Sequence, residues 1–279
     1  MISKTVGNAI ARQIEKSFEE QVKFLSSLVK AKSANPHTSL ESPADEPIEK
    51  EVAGIIAAKL DELKLDYRRV GVSKERENIL VEWGNKRARN SLMLNGHMDT
   101  LVPEGNDVVS PYSGSVRGGK LYGLGALNMK GALSAYVYAV KALRDAGVEI
   151  SGKLYVAFVV DEESGSCSKY GTQHLLEEGY VPRACIIGEN GSRVVRIGQR
   201  GGYRFKLIIK GESVHTGVSA WERGEAGRNA VVDMARAIEA LQNLEIPHKP
   251  SRTFVGRKPV FTFPTKITGG TALNIVPSP

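Results

Sequence analysis

Three short segments of this 279-residue chain place a histidine or carboxylates just after an apolar run. In the first, Ser91, Leu92, Met93 and Leu94 lead to His97 and Asp99. If the run is a strand, residues two apart share a face, and Asp99 can accept the second N–H of the His97 ring. That bond fixes the tautomer and makes the other nitrogen a better metal ligand. In the second, the nearly continuous apolar run over 153–160 leads to Asp161, Glu162 and Glu163. In the third, Glu189 follows the run over 184–187. Open α/β sheets bind ligands at the carboxyl ends of their strands. Three such ends would bring one imidazole and several carboxylates to one rim. Carboxylates so close repel one another unless a cation sits among them. Oxygen donors with an imidazole suit zinc, manganese or cobalt. Neighbouring Glu162 and Glu163 point in different directions, so one can ligate while the other acts as a base on water. Any one of these carboxylates alone would serve equally as a helix cap or a solvated group. The three together point to a metal.

The elements that must hold these residues are legible from periodicity. Apolar residues at three- and four-residue steps predict helices over 8–32 and 48–65. Strands are expected at 78–83 and 91–94, then a Gly-, Pro- and Ser-rich functional loop over 100–122. An Ala-rich helix over 130–146, a central strand over 153–160, a short helix over 171–179 and a buried strand over 184–187 follow. Cys185 on that last strand reads as a small core residue. Alternating strands and helices predict an α/β fold: a mixed, mostly parallel sheet with helices on both faces. The texture changes near residue 194. β runs over 194–199 and 203–210 around Arg200, Gly201 and Gly202 predict a hairpin. A helix over 225–241 and a β run over 259–276 complete a β-β-α-β order, read as a smaller α+β domain. The expected division is therefore 1–193 and 194–279.

Composition limits the function classes. With 41% hydrophobic and 25% charged residues the chain reads as globular. No apolar stretch is long enough to span a membrane, and the start of the chain lacks the apolar core of a signal peptide. A cytoplasmic location is expected, with Cys167 and Cys185 reduced. The net charge of +7 is uneven: residues 194–279 hold 13 Lys and Arg against 6 Asp and Glu, while the remaining 25 basic and 25 acidic residues balance. This excess reads either as a basic surface facing an anionic substrate, nucleic acid or an acidic partner, or as a solvated surface whose compensating charge lies elsewhere in an assembly. Neither a zinc finger nor an aromatic–basic alternation supports nucleic-acid binding.

The ordered motifs resemble one known family. Gly96-His-Met-Asp-Thr100 is followed by Tyr122-Gly-Leu-Gly-Ala-Leu-Asn-Met-Lys-Gly131 and Asp161-Glu-Glu-Ser-Gly165. Then come Gly188-Glu189, Gly211-Glu-Ser-Val-His215 and Gly269-Gly-Thr-Ala-Leu-Asn-Ile-Val-Pro277. This order is similar to that of the zinc-dependent aminoacylase/exopeptidase family, which includes acetylornithine deacetylase, succinyl-diaminopimelate desuccinylase, aminoacylase and the glutamate carboxypeptidases. The resemblance implies a hydrolase of amide bonds in N-acyl amino acids or small peptides, working through metal-activated water. His97 and Glu189 would bind one metal and Glu163 a second, with one or two zinc ions per chain and cobalt or manganese as substitutes. Glu162 would be the general base, Asp99 would orient His97, and His215 would stabilise the oxyanion. The smaller domain would be a lid that forms a homodimer. Its basic residues Arg200, Arg204 and Arg228, with Asn229, are candidates for holding a substrate carboxylate.

Two departures stand out. Asn128 occupies the place of an Asp that bridges both metals in the family. It reads either as an uncharged ligand or as the N-cap of the following helix. Family chains also continue past the strand near Val276 and supply a late His ligand, which no residue here replaces. These departures support an alternative: a catalytically impaired member or fragment that acts as a binding or assembly module. The open lid is expected to self-associate or to be partly disordered beyond about residue 244.

Overall fold

The first helix, α1 (Lys4–Lys30), begins where the Ser3 hydroxyl accepts the Val6 N–H at 3.3 Å, four residues before the start expected from periodicity. The computed structural model describes residues 3–37, 43–105, 109–165, 167–189, 194–199 and 201–278. By contact density the chain divides into two units, Met1–Val195 and Arg196–Pro279.

The first unit is built on five strands: β1 (Tyr67–Gly71), β2 (Glu77–Gly84), β3 (Ser91–His97), β6 (Lys153–Val159) and β7 (Ala184–Ile187). A small hairpin, β4 (Ser115–Arg117) and β5 (Lys120–Tyr122), lies within the expected loop. The sheet order is β1-β2-β6-β3-β7. β3 pairs in parallel with β6 and β7, whereas β1–β2 and β2–β6 are antiparallel. The sheet is thus open and mixed, with its parallel half carrying the three motifs.

Side-chain alternation divides β6 between two cores. Leu154, Val156 and Phe158 join Ile79 and Val81 against residues of α1, α2 (Lys50–Glu62) and α3 (Lys130–Asp145), including Leu28, Ile56 and Leu133. Tyr155, Ala157 and Val159 face the other way, onto Leu80, Met93 and Leu175. Leu175 belongs to α4 (His174–Glu177), which continues a π-helical turn over Lys169–Gln173. Helices therefore cover both faces. Gly96 lets α3 approach β3 closely: a Cβ there would come within 2.6 Å of Leu133 Cδ2 and 2.8 Å of Met129 Cε.

Two expectations about this unit are corrected. β7 is exposed along its length, and Cys185 with it, because β7 is the outermost strand and pairs on one side only. β1 was not expected. Its sequence, Tyr67-Arg-Arg-Val-Gly71, lacks an apolar run because it too is an edge strand with half of its side chains in water.

The second unit contains α5 (Ser219–Glu222) and α6 (Ala230–Gln242). Residues 211–217 meet 274–277 through the His215–Ile275 bridge and the Val276 N–H on the Val214 carbonyl. The expected β runs over 194–199, 203–210 and 259–276 form no strand among the described residues. Alternating apolar residues make a strand only where a neighbour exchanges hydrogen bonds with them. Arg200 lies outside the described residues.

Candidate metal centre

The parallel register brings the motifs to one level. His97 is the last residue of β3 and lies opposite Val159 of β6, so Glu162 and Glu163 lie just past that strand end. Asn95 lies opposite Ile187 of β7, so Glu189 stands two residues beyond Ile187 as His97 stands two beyond Asn95. His97, Glu162 and Glu163 offer donor atoms that all lie within 4.8 Å of one another.

His97 is buried and held from both nitrogens. Nδ1 donates to the Asp99 carbonyl at 3.0 Å and lies 3.4 Å from the Asp99 carboxylate. Nε2 faces the site, 3.2 Å from Asn128 Oδ1 and 3.7 Å from Glu162 Oε2. Nδ1 therefore meets Asp99 first through its backbone carbonyl, with the carboxylate beside the same nitrogen. Asp99 is fully buried and accepts the amides of Glu162 at 3.2 Å and Glu163 at 2.9 Å, and the Asn35 carboxamide at 3.1 Å. One carboxylate thus orients the imidazole and also pins the acidic turn.

Asn128 does not cap α3. The N-cap is Met129, with no side-chain cap bond, and the Asn128 oxygen points at His97 instead. The capping reading is overturned because the helix begins one residue later than the capping geometry needs. Glu189 is exposed and outside the donor cluster, yet its charge reaches Glu163. Tyr136 of α3 ties this strand end to its neighbour: its hydroxyl donates to the Asn95 carbonyl at 3.1 Å and accepts the Gly188 N–H at 2.6 Å. Neither Asn35 nor Tyr136 has a local sequence signal, since each acts on a partner distant in the chain.

The electrostatics fit a cation. Burial, then the charges of Glu162, Asp99 and Glu189, push the Glu163 carboxyl above its ordinary value against the pull of His97. Burial opposes the His97 cation, but the Asp99 hydrogen bond and the Asp99 and Glu162 charges outweigh it and raise His97 to about 9. Burial also opposes Asp99 ionisation, and the bonds from His97, Asn35 and the Glu163 amide overcome it and hold Asp99 low. One imidazole with converging carboxylates is a donor set for zinc or a similar ion. A metal at Nε2 must displace the proton that these charges hold. Apparent zinc affinity should therefore rise about tenfold per pH unit up to about 9 and level off above it, with proton release on binding. Calorimetric titration at pH 6, 7, 8 and 9.5 measures this, and a flat profile would remove His97 from the ligand set.

The remaining expected site residues lie in the second unit. His215 is exposed; its Nδ1 accepts the Gly217 N–H at 3.0 Å, and its Nε2 lies 3.0 Å from the Asn274 carboxamide. Arg204 is exposed. Arg228 donates to Asp233 at 2.8 Å. Asn229 is the N-cap of α6, accepting the Val231 and Val232 amides at 3.0 and 3.2 Å. Its carboxamide oxygen is thus committed to the helix.

The sequence comparisons show the family, and the structure comparisons show the fold. The profile of peptidase family M20/M25/M40 matches residues 93–266. Succinyl-diaminopimelate desuccinylase of Anaplasma marginale is 35% identical over 150 residues, covering 50% of this chain and 38% of that protein. The desuccinylase of Bradyrhizobium sp. strain BTAi1 is 29% identical over 255 residues, covering 85% of this chain and 63% of its own. This chain thus spans less than two thirds of either relative. Among solved structures, the di-peptidase Dug1p of Saccharomyces cerevisiae superposes with a TM-score of 0.58 at 16% identity, over 84% of this chain and 52% of that one. Human carnosine dipeptidase 1 superposes with a TM-score of 0.52 at 20% identity, over 76% of this chain and 44% of that one. Similarity at this level speaks for the fold.

Proposed function

This chain belongs to peptidase family M20/M25/M40, and on that premise we propose that it carries the metal-binding part of a hydrolase acting on N-acyl amino acids or small peptides. The observation that carries the reading is the convergence of His97, Glu162 and Glu163 at adjacent strand ends, with Asn128 beside His97. His97, Glu163, Glu189 and Asn128 would hold the ion, zinc first and cobalt or manganese as substitutes. When bound, the ion would polarise the amide carbonyl and lower the pKa of water. Glu162 would take a proton from the attacking water as its oxygen adds to the carbonyl carbon, then pass that proton to the leaving nitrogen as the C–N bond breaks.

Residues 1–193 would form the catalytic domain and 194–279 the lid. Arg200, Arg204 and Arg228 would hold a substrate carboxylate, with Asn229 shaping the segment beside them. His215 carries the oxyanion role in this proposal. Its Nδ1 accepts the Gly217 N–H and its Nε2 meets the Asn274 amide group, so it would take up that role on exchanging the Asn274 contact for the substrate. A homodimer through the second unit belongs to the same reading, supported by its exposed Ile197, Tyr203 and Val255. A cytoplasmic setting belongs to the same reading. Among the described residues no helix is long and apolar enough to cross a membrane.

Asn128 favours a second reading, a binding module whose site lacks one negative charge. Assays of amine release from N-succinyl and N-acetyl amino acids and dipeptides separate the two. Hydrolysis that chelation abolishes and zinc restores supports the enzyme. Ligand affinity that survives chelation, without hydrolysis, supports the module.

A further inference from the structure

Beneath the acidic turn lies a second cluster of charges that the proposed chemistry does not use. Arg76 and Asp161 are fully buried, and Glu49 is 1% exposed. Arg76 grips Glu49 with two bonds, Nε to Oε2 at 3.1 Å and Nη2 to Oε1 at 2.6 Å. Nη2 also lies 3.3 Å from Asp161 Oδ1. Glu49 Oε1 accepts the Asp161 backbone N–H at 3.0 Å, and Asp161 Oδ2 accepts the Tyr170 N–H at 3.3 Å. The guanidinium lies over the Tyr170 ring, 5.7 Å from its centre.

Such a cluster is costly to bury, and packed apolar residues would often serve stability as well. Its contacts show what it fixes. Asp161 has φ +67°, a left-handed conformation that non-glycine residues seldom adopt and that persists only where the surroundings over-determine it. The next two residues are Glu162 and Glu163, whose amides are pinned by Asp99. The turn is therefore anchored at both ends, by Asp99 toward β3 and by Glu49 with Arg76 at its entry.

We infer that Arg76 and Glu49 are positioning residues, which hold Asp161 in its left-handed conformation and so aim the Glu162 and Glu163 carboxylates toward His97. The inference rests on the metal-centre reading. Arg76→Lys replaces a rigid two-pronged donor by a point charge, and Glu49→Gln keeps volume while removing one of the paired charges. Zinc titration by calorimetry should show Arg76→Lys binding about tenfold or more weakly, as for other residues that support ligands without touching the ion. Glu49→Gln should lose less. Hydrogen exchange at the Glu162 and Glu163 amides should accelerate in both variants, while the β6 amides stay protected. A role confined to global stability would lower the melting temperature without this local signature.

Zinc affinity within about twofold of the parent, with protected turn amides in folded variants, would overturn the inference. If Arg76→Lys does not fold, Glu49→Gln carries the same test. His97→Ala separates the two readings. If it binds zinc as well as the parent, the metal centre is wrong, and amide exchange alone then decides the positioning role.

Discussion

Replacing Glu162 by Gln should lower turnover by about 100- to 10,000-fold, the usual contribution of a general base, while zinc affinity stays near that of the parent. The structure makes this outcome discriminating. Glu162 Oε2 lies 3.7 Å from His97 Nε2, and Glu162 belongs to the donor cluster with Glu163. It has the reach to be a ligand as well as a base. Its side chain is 41% exposed, which suits a group that must meet water and a leaving nitrogen. A ligand role would show as weakened zinc binding in Glu162→Gln, with turnover recovered at high zinc. A base role leaves binding intact and no rescue. Steady-state kinetics on the full protein, alongside zinc titration of the same preparations, read both quantities. Near-normal turnover would remove Glu162 from the mechanism.

Substituting Asn128 by Asp should tighten zinc binding by at least about tenfold, the effect of one opposite charge at close range. The Asn128 oxygen lies 3.2 Å from His97 Nε2, so a carboxylate there would face any ion bound to that nitrogen. The same carboxylate also favours the His97 proton. His97 already stands at about 9 without it. Below that pH the added charge strengthens both zinc and its competitor, and the gain in affinity is partly masked. Titration above the His97 pKa shows the full effect, and the gain should shrink as pH falls. Unchanged affinity at a pH above the His97 pKa of the variant itself would mean that Asn128 does not face the ion. It would also support the binding-module reading, in which this position has left the chemistry.

The chain shows where sequence reasoning reaches and where it stops. Helical spacing identified α1 and α2, and Ala-richness α3, because each buries an apolar face in the shared core. The apolar runs that became β3 and β6 were equally plain, and strand-end geometry then placed His97, Asp99, Glu162 and Glu163 on one rim. These features are local: a side chain's face follows from its position in its own element. β1 escaped because an edge strand need not alternate, and β7 was taken as buried because an apolar run does not say how many neighbours it has. The β runs of the second unit failed for a related reason, since pairing belongs to two segments and periodicity to one.

The finer arrangement of the site belonged to the tertiary structure alone. No local pattern could choose between Asn128 as a cap and Asn128 beside His97, because the two side chains are 31 residues apart in sequence. Asn35 reaches Asp99 across 64 residues and Glu49 reaches the Asp161 amide across 112. Residue types and spacing named the groups able to do chemistry. Only the packed sheet, which brings distant segments within hydrogen-bond range in a medium of low dielectric, decided which of them touch, which proton His97 holds, and how the acidic turn is aimed.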